Sequence, residues 1–126
     1  MSTILVNTLT GTSTAGSIAV TGEGNSTTTN LQQGLAKVWV FGTDNVITDS
    51  LNTSSSTDVG TGEYTFTLTS ATATTNVAMS ACVNENDNLI VGRKSNTTSS
   101  YNIRIKNTSN TGTDANTGSS VHGDLA

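Results

Sequence analysis

Apolar and polar residues alternate over several short stretches of this chain, with the two-residue period of β-strands. The clearest stretch is Glu63–Thr69, in which Tyr64, Phe66 and Leu68 share one face and three threonines share the other. A second stretch, residues 101–106, alternates in the same way between aromatic or isoleucine residues and polar residues. Both stretches predict strands with one buried face.

Three other apolar stretches extend the predicted β-structure. Lys37–Phe41 is the most apolar segment and predicts a central strand with Trp39 in the core, and Val46–Leu51 predicts the strand after it. Val121 and Leu125 predict a last, weaker strand.

A polar run separates two apolar stretches near the middle of the β-region. Val77–Val83 and Leu89–Arg93 flank Asn84–Asn88, and this arrangement predicts an antiparallel hairpin with a polar tip. Cys82 lies opposite the apolar face of the first stretch and is expected to be a small packed thiol.

The N-terminal part of the chain has a different pattern. Ile4–Leu9 and Ser17–Val20 predict two short strands separated by turn residues. Gly22–Asn30 has no residue able to anchor a core and is predicted to be a linker or extended arm. Leu31–Ala36 predicts a single helical turn after an asparagine cap.

Together these stretches predict an all-β fold, because short strands recur between turn residues and no stretch indicates a helix longer than one turn. We divide the chain into an N-terminal module and connector, residues 1–36, and an antiparallel β-domain, residues 37–126. The β-domain is predicted to be a sandwich or a jelly-roll-like fold.

Composition adds that the core is small. Thr, Ser and Asn supply 26, 16 and 14 of the 126 residues, and Leu, Ile, Val and Phe together supply only 26. A small core is usually supplemented by disulfides, metals or oligomerisation. One cysteine and one histidine cannot form an intramolecular disulfide or a usual structural zinc site, so the composition favours oligomerisation.

Charge and hydropathy exclude several classes of partner. The formal net charge is −4 and only five residues are aromatic, so nothing indicates nucleic-acid binding. No stretch approaches the roughly 18 apolar residues of a membrane span, and no basic, apolar leader precedes the first strand. We therefore expect a protein made in the cytoplasm that has neither a membrane nor a nucleic acid as partner.

The ionisable and nucleophilic residues form no recognisable catalytic pattern. His122, Asp124 and a serine could compose a triad on paper, but no serine has the flanking pattern of a nucleophile elbow. Asn84–Asn88 lacks the glycine and terminal glutamate of a calcium loop, and Gly60-Thr-Gly62 lacks the Lys-Ser/Thr of a phosphate loop. We predict no catalytic, metal or cofactor site and no enzymatic activity. Four basic residues in the last third of the chain are read as a solvent-facing surface, with an anionic-glycan or phosphate patch as the alternative: Arg93, Lys94, Arg104 and Lys106.

Three segments together resemble virion proteins of tailed phages that infect marine bacteria. Met1–Gly16 resembles the N-terminal module of such proteins, and Gly22-Glu-Gly24 with Thr29–Trp39 resembles their connector. Asp49-Ser-Leu-Asn52 followed by Asp58–Leu68 is similar to the β-domain at the end of phage fibres, although Leu51 replaces the usual aromatic residue. The ending Gly123–Ala126 fits the same pattern.

The resemblance implies a non-enzymatic, homotrimeric appendage of the virion, either a capsid decoration or head fibre. It implies attachment to capsid or tail proteins through the N-terminus, with the β-domain outward. On this reading the apolar residues of the N-terminal segment form the anchoring or trimer contact: Ile4, Leu5, Val6 and Leu9. The alternative is a tail fibre or receptor-binding tip that recognises a host surface glycan through an outward loop: Asn84, Glu85, Asn86, Asp87 and Asn88.

Overall fold

The computed structural model describes residues 3–11, 18–21, 28–84 and 88–124. The chain divides into two units between Leu35 and Ala36. All described regular structure is β-strand except for one helical turn, so the predicted all-β class is confirmed.

The first unit contains a two-stranded antiparallel sheet. Strands β1 (Ala19–Thr21) and β2 (Thr28–Asn30) pair, and the helical turn α1 (Leu31–Gly34) follows directly. β2 falls within the predicted linker, so that prediction is wrong for these three residues. The strand predicted over Ile4–Leu9 is also wrong: β1 pairs with β2, and no described strand neighbours residues 3–11 to complete a hydrogen-bonded ladder.

The second unit consists of eight strands in two antiparallel sheets. The first sheet has the order β4-β3-β10-β7 and the second has the order β5-β6-β9-β8. The strands are β3 (Val38–Thr43), β4 (Val46–Leu51), β5 (Thr53–Gly60), β6 (Glu63–Leu68), β7 (Ala78–Val83), β8 (Leu89–Asn96), β9 (Ser100–Asn107) and β10 (Thr117–His122). The predicted central position of β3 is confirmed, since β4 and β10 flank it.

The two sheets share one core, as in a β-sandwich. Alternate residues of the inner strands point inward and are buried: Val38, Val40 and Val121 from the first sheet, and Tyr64, Phe66, Leu68, Tyr101, Ile103 and Ile105 from the second. The predicted apolar faces of β6 and β9 are therefore confirmed. Tyr101 joins the sheets, because its hydroxyl lies 2.9 Å from Ser119 Oγ of the first sheet. Within the second sheet its ring lies 5.2 Å from that of Phe66.

The predicted hairpin around Asn84–Asn88 is wrong. β7 pairs with β10 in the first sheet, whereas β8 pairs with β9 in the second, so the chain crosses between sheets at this point. The apolar face of each strand could be buried in a hairpin or in a sandwich. In the sandwich, the apolar face of β7 and that of β8 both contact the core between the two sheets.

The sequence does not predict strand β5, because five of its eight residues are Thr or Ser and only one, Val59, is a large hydrophobic residue. The chain enters it through a corner at Asn52, which has a positive φ of 58°. The side-chain amide of Asn52 donates to Ser70 O (3.0 Å) and its Oδ1 accepts from Ser70 N (2.7 Å). This corner and the pairing with β6 hold β5 at the sheet edge without an apolar face of its own.

The turn between β5 and β6 is fastened to the segment before β10. Asp114 Oδ1 accepts hydrogen bonds from Gly62 N (2.6 Å) and from the Tyr64 hydroxyl (2.9 Å), and Gly62 O accepts one from Ile105 N (2.7 Å). Gly62 has a φ of 69°, which an L-residue rarely adopts. Thr61 and Gly62 form this turn, and Gly60 is the last residue of β5.

Stability should fall at alkaline pH because of the buried tyrosines. Burial raises the pKa of Tyr101 to about 12, although the Ser119 hydrogen bond lowers it slightly, and burial beside Asp114 raises the pKa of Tyr64 above its ordinary value. Unfolded tyrosine titrates near pH 10. The unfolded chain therefore loses these protons first. For Tyr101 the contribution is complete below about pH 10 and is lost between about pH 10 and 12.

For Tyr101 alone we expect the free energy of unfolding to drop by about 2–3 kcal/mol over that range. Guanidinium unfolding followed by circular dichroism at pH 8 and pH 11.5 measures it. The control is Tyr101→Phe, which loses the Ser119 hydrogen bond at pH 8 but should show a smaller alkaline drop. Equal alkaline drops in the two proteins would contradict this explanation.

Candidate interaction surfaces

The residues considered for a catalytic triad have structural positions instead. His122 is the last residue of β10 and is partly exposed, and Asp124 accepts a hydrogen bond from Ala73 N through its backbone carbonyl. Asp114 is occupied by the turn described above. Within the described part of the chain, no three His, Cys, Asp or Glu residues lie close enough together to hold a metal ion.

One outer surface of the sandwich is basic. On the outer face of the second sheet, Glu63 forms ion pairs with Lys94 and Arg104 (2.8 Å to the guanidinium), and their hydrogen bonds hold the pKa of Glu63 below its usual value. Lys106 lies on the same face of β9, where its ammonium contacts Asn110 Oδ1 (2.7 Å). We call Lys94, Arg104 and Lys106 the basic face. They line a shallow depression of about 340 Å³ together with Ile90, Gly92, Arg93 and Asn110.

The opposite outer surface is apolar. Trp39 and Phe41 point outward from β3, and the register places Trp39 beside Leu51 of the edge strand β4. The three side chains are 36%, 38% and 46% exposed. The prediction that Trp39 belongs to the core is therefore wrong. We call the outer surface of the first sheet, which carries Trp39, Phe41 and Leu51, the aromatic face.

A groove of small residues runs beside these aromatic side chains. Ser120 lies opposite Trp39, Gly118 lies opposite Phe41, and their partners on β7 are Ser80 and Cys82. The groove has a volume of about 240 Å³. A Cβ added to Gly118 would lie 3.3 Å from Cys82 Sγ and 4.0 Å from the Phe41 ring, so these two side chains flank its floor. Cys82 is exposed here, and the prediction of a packed thiol is wrong.

The signal for the aromatic face is present in the sequence. Val38 and Val40 fill the core from one side of β3, so Trp39 and Phe41 must point to the other side. A strand that is apolar on both faces indicates that both faces are covered. The sequence predicts Lys37–Phe41 to be a central strand, but in the described part of the second unit its outer residues Trp39 and Phe41 stay partly exposed.

The N-terminal segment exposes further large hydrophobic residues. Ile4, Leu5, Val6 and Leu9 are 85%, 90%, 60% and 61% exposed. The segment therefore has apolar side chains available for contact, which is the property its predicted role requires.

The predicted outward contact loop is only partly described. Asn84 follows β7, and its backbone N–H donates a hydrogen bond to Asn116 O (3.0 Å). Asn88 precedes β8. Glu85, Asn86 and Asp87 lie outside the described residues. No ligand contact is assigned to this loop.

A larger cleft opens between the edge strands β7 and β8. It has a volume of about 510 Å³ and is lined mainly by Val77, Met79, Ala81, Val91 and Arg93. Arg93 Nη1 donates to Val77 O (3.2 Å) across it, so this hydrogen bond links the two edges. The cleft is the open side of the sandwich.

The residues that carry the resemblance have structural roles. Asp49 Oδ1 accepts from Ser50 N, Asp58 Oδ1 accepts from Gly60 N, and Asn52 braces the corner into β5. Gly62 and Tyr64 belong to the turn fastened by Asp114. These motifs thus specify turns and corners of the sandwich.

No helix in the described part of the chain is long and apolar enough to cross a membrane. No protein-family model matches the chain, and neither the curated proteins nor the solved structures include a significant match to it.

Proposed function

We propose that this chain is a non-enzymatic structural subunit, a short homotrimeric appendage on the surface of a tailed-phage virion. It acts as a capsid decoration or head fibre, is attached through its N-terminal segment and presents the β-domain outward. The observation that carries the proposal is the exposure of Ile4, Leu5, Val6 and Leu9 in one short segment. The virion setting rests on the resemblance of the three segments described above.

Two properties of the molecule support assembly as its function. A single chain leaves two apolar surfaces in contact with water, the N-terminal segment and the aromatic face, and exposed apolar patches commonly mark protein contacts. Two of the carboxylates, Asp114 and Glu63, are occupied in the turn before β6 and in surface ion pairs.

The proposal is tested by reconstitution. Purified full-length chain should sediment with three times the 12.9 kDa mass of one subunit, and should bind phage particles assembled without it. A chain that stays monomeric at micromolar concentrations and does not bind such particles would refute the proposal.

A second candidate function is recognition of an anionic host surface glycan, in which the chain acts as a receptor-binding tip. The basic face favours it, because Lys94, Arg104 and Lys106 carry three positive charges and Glu63 neutralises one of them. Purified chain should then retain acidic host polysaccharide, and Lys106→Gln should weaken retention. A purely structural subunit should bind neither the polysaccharide nor host cells.

A further inference from the structure

Most of the positive charge of this chain is collected in one place. The chain has five Lys and Arg residues and a formal net charge of −4. Four of the five nevertheless line the shallow depression on the outer face of the second sheet: Arg93, Lys94, Arg104 and Lys106. Glu63 pairs with two of them and neutralises one charge. A local excess of positive charge on an acidic chain attracts anions to this depression.

The cations of the basic face are held in position and keep hydrogen-bond donors for a ligand. The Nε and Nη2 groups of Arg104 donate to Glu63 Oε2 (3.2 and 2.8 Å), and these two bonds occupy one edge of the guanidinium. Lys106 donates to Asn110 Oδ1 (2.7 Å), and an ammonium group carries further N–H donors. Because both side chains are already held, an anion that binds them immobilises less side-chain freedom.

Uncharged residues form the floor of the depression beside these cations. The register places Ile90 opposite Lys106 and Gly92 opposite Arg104, so all four lie on the same face of the sheet. Ile90 is 65% exposed, and a Cβ added at Gly92 would have no atom within 4 Å. The lack of a side chain at Gly92 thus leaves open space beside two cations. Such a floor suits a ring that carries an anionic group.

The size and lining of the depression favour an acidic sugar over other anionic partners. Its volume of about 340 Å³ lies at the small end of ligand sites, so it fits a ring-sized unit. None of the described residues that line it is aromatic, whereas single-stranded nucleic acids are bound by stacking on aromatic side chains. The net charge of −4 opposes attraction to an extended anionic surface such as a membrane.

We infer that this depression binds one acidic sugar residue of a polysaccharide. The sugar ring lies over Ile90 and Gly92, and its carboxylate or sulfate group accepts hydrogen bonds from Arg104 and Lys106. Gly92 determines specificity, since any side chain at this position would occupy the space of the ring. The inference rests on the second candidate function and not on the proposed trimer, and it specifies the ligand unit and the residues that hold it.

Titration calorimetry with the purified full-length chain tests the inference. The probes are an oligogalacturonide, a sulfated dextran oligomer, a neutral dextran and an oligothymidylate of similar length. We expect at least one of the two acidic saccharides to bind, with an affinity that falls as salt is raised. The neutral dextran should not bind, and the oligothymidylate should bind at least about tenfold more weakly than the acidic saccharide.

Two variants separate the charge from the floor. Lys106→Gln removes a cation, whereas Gly92→Thr fills the floor, keeps every charge and favours a strand. Each should weaken binding of the acidic saccharide by about tenfold or more, as expected for the loss of a hydrogen bond to a charged group or of the space for the ring. Lys106→Arg keeps the charge and should bind more tightly than Lys106→Gln. Val46→Thr, at a 66% exposed position of β4, is the matched control for Gly92→Thr and should bind like the wild-type chain.

The outcomes distinguish this inference from the functions proposed above. If Gly92→Thr binds the acidic saccharide as tightly as the wild-type chain, the inference is overturned even where Lys106→Gln binds more weakly, because general charge attraction would explain that loss. Equal affinity for the oligothymidylate would overturn it for the same reason. A chain that binds neither acidic saccharide would overturn both the inference and the second candidate function. Sedimentation of the same preparation tests the trimer separately.

Discussion

Deleting Met1–Leu9 is expected to abolish attachment to the particle while leaving a folded β-domain. The deletion removes the four exposed hydrophobic residues of the N-terminal segment and no residue of the sandwich core. Burial of a large apolar side chain contributes about 1.5–3 kcal/mol. Losing even two such contacts corresponds to at least roughly a hundredfold weaker binding.

Binding of purified protein to particles that lack it, measured by co-sedimentation, checks this expectation. The substitutions Ile4→Ser, Leu5→Ser and Val6→Ser in one variant test the same contact without shortening the chain. Val59→Ser is the matched control, because Val59 is a similarly exposed hydrophobic residue on β5. If the truncated protein still decorates particles at wild-type level, the N-terminal segment is not the anchor.

Replacing Gly62 by alanine is expected to destabilise the β-domain by about 3 kcal/mol or more. The φ of 69° at this position costs an L-residue about 1–2 kcal/mol. An added Cβ would also lie 2.5 Å from both Ile105 O and Thr113 N, which are backbone atoms that cannot move aside singly. Relieving these contacts would disturb the hydrogen bonds from Gly62 and Tyr64 to Asp114.

Gly92→Ala is the matched control for this substitution. Gly92 lies in β8, and no atom lies within 4 Å of a Cβ added at this position. The substitution is therefore expected to change the free energy of unfolding by less than about 1 kcal/mol. Urea unfolding of both variants gives the comparison. A Gly62→Ala protein as stable as the Gly92→Ala protein would mean that the turn is not held as described.

The strands with an apolar face were the most predictable part of the fold. The alternation in β6 and β9 places Tyr64, Phe66, Ile103 and Ile105 in the core, and the structure buries all four. β5 escaped prediction because Thr and Ser occupy both of its faces, and its position depends on the Asn52 corner and on pairing with β6.

Sheet membership could not be derived from the same pattern. Met79 and Val91 face the shared core from different sheets, yet the local sequence is equally compatible with a hairpin. Pairing of β7 with β10 is a contact between segments far apart in the chain, and alternation within each segment does not specify it.

Of the two exposed apolar surfaces, the sequence predicts the N-terminal segment but not the aromatic face. The exposed N-terminal hydrophobic residues can be recognised from the sequence, because Ile4–Leu9 is a short apolar segment outside the predicted β-domain. The aromatic face was missed because the outward direction of Trp39 becomes evident only once Val38 and Val40 are known to fill the core.

Electron cryomicroscopy of intact particles, with a labelled antibody against the chain, shows whether the chain forms a threefold appendage on a virion. We expect antibody label on the capsid surface over threefold density large enough for three β-domains. Label confined to the tail would favour the receptor-binding alternative. Particles that carry neither label nor such density would refute the proposed function.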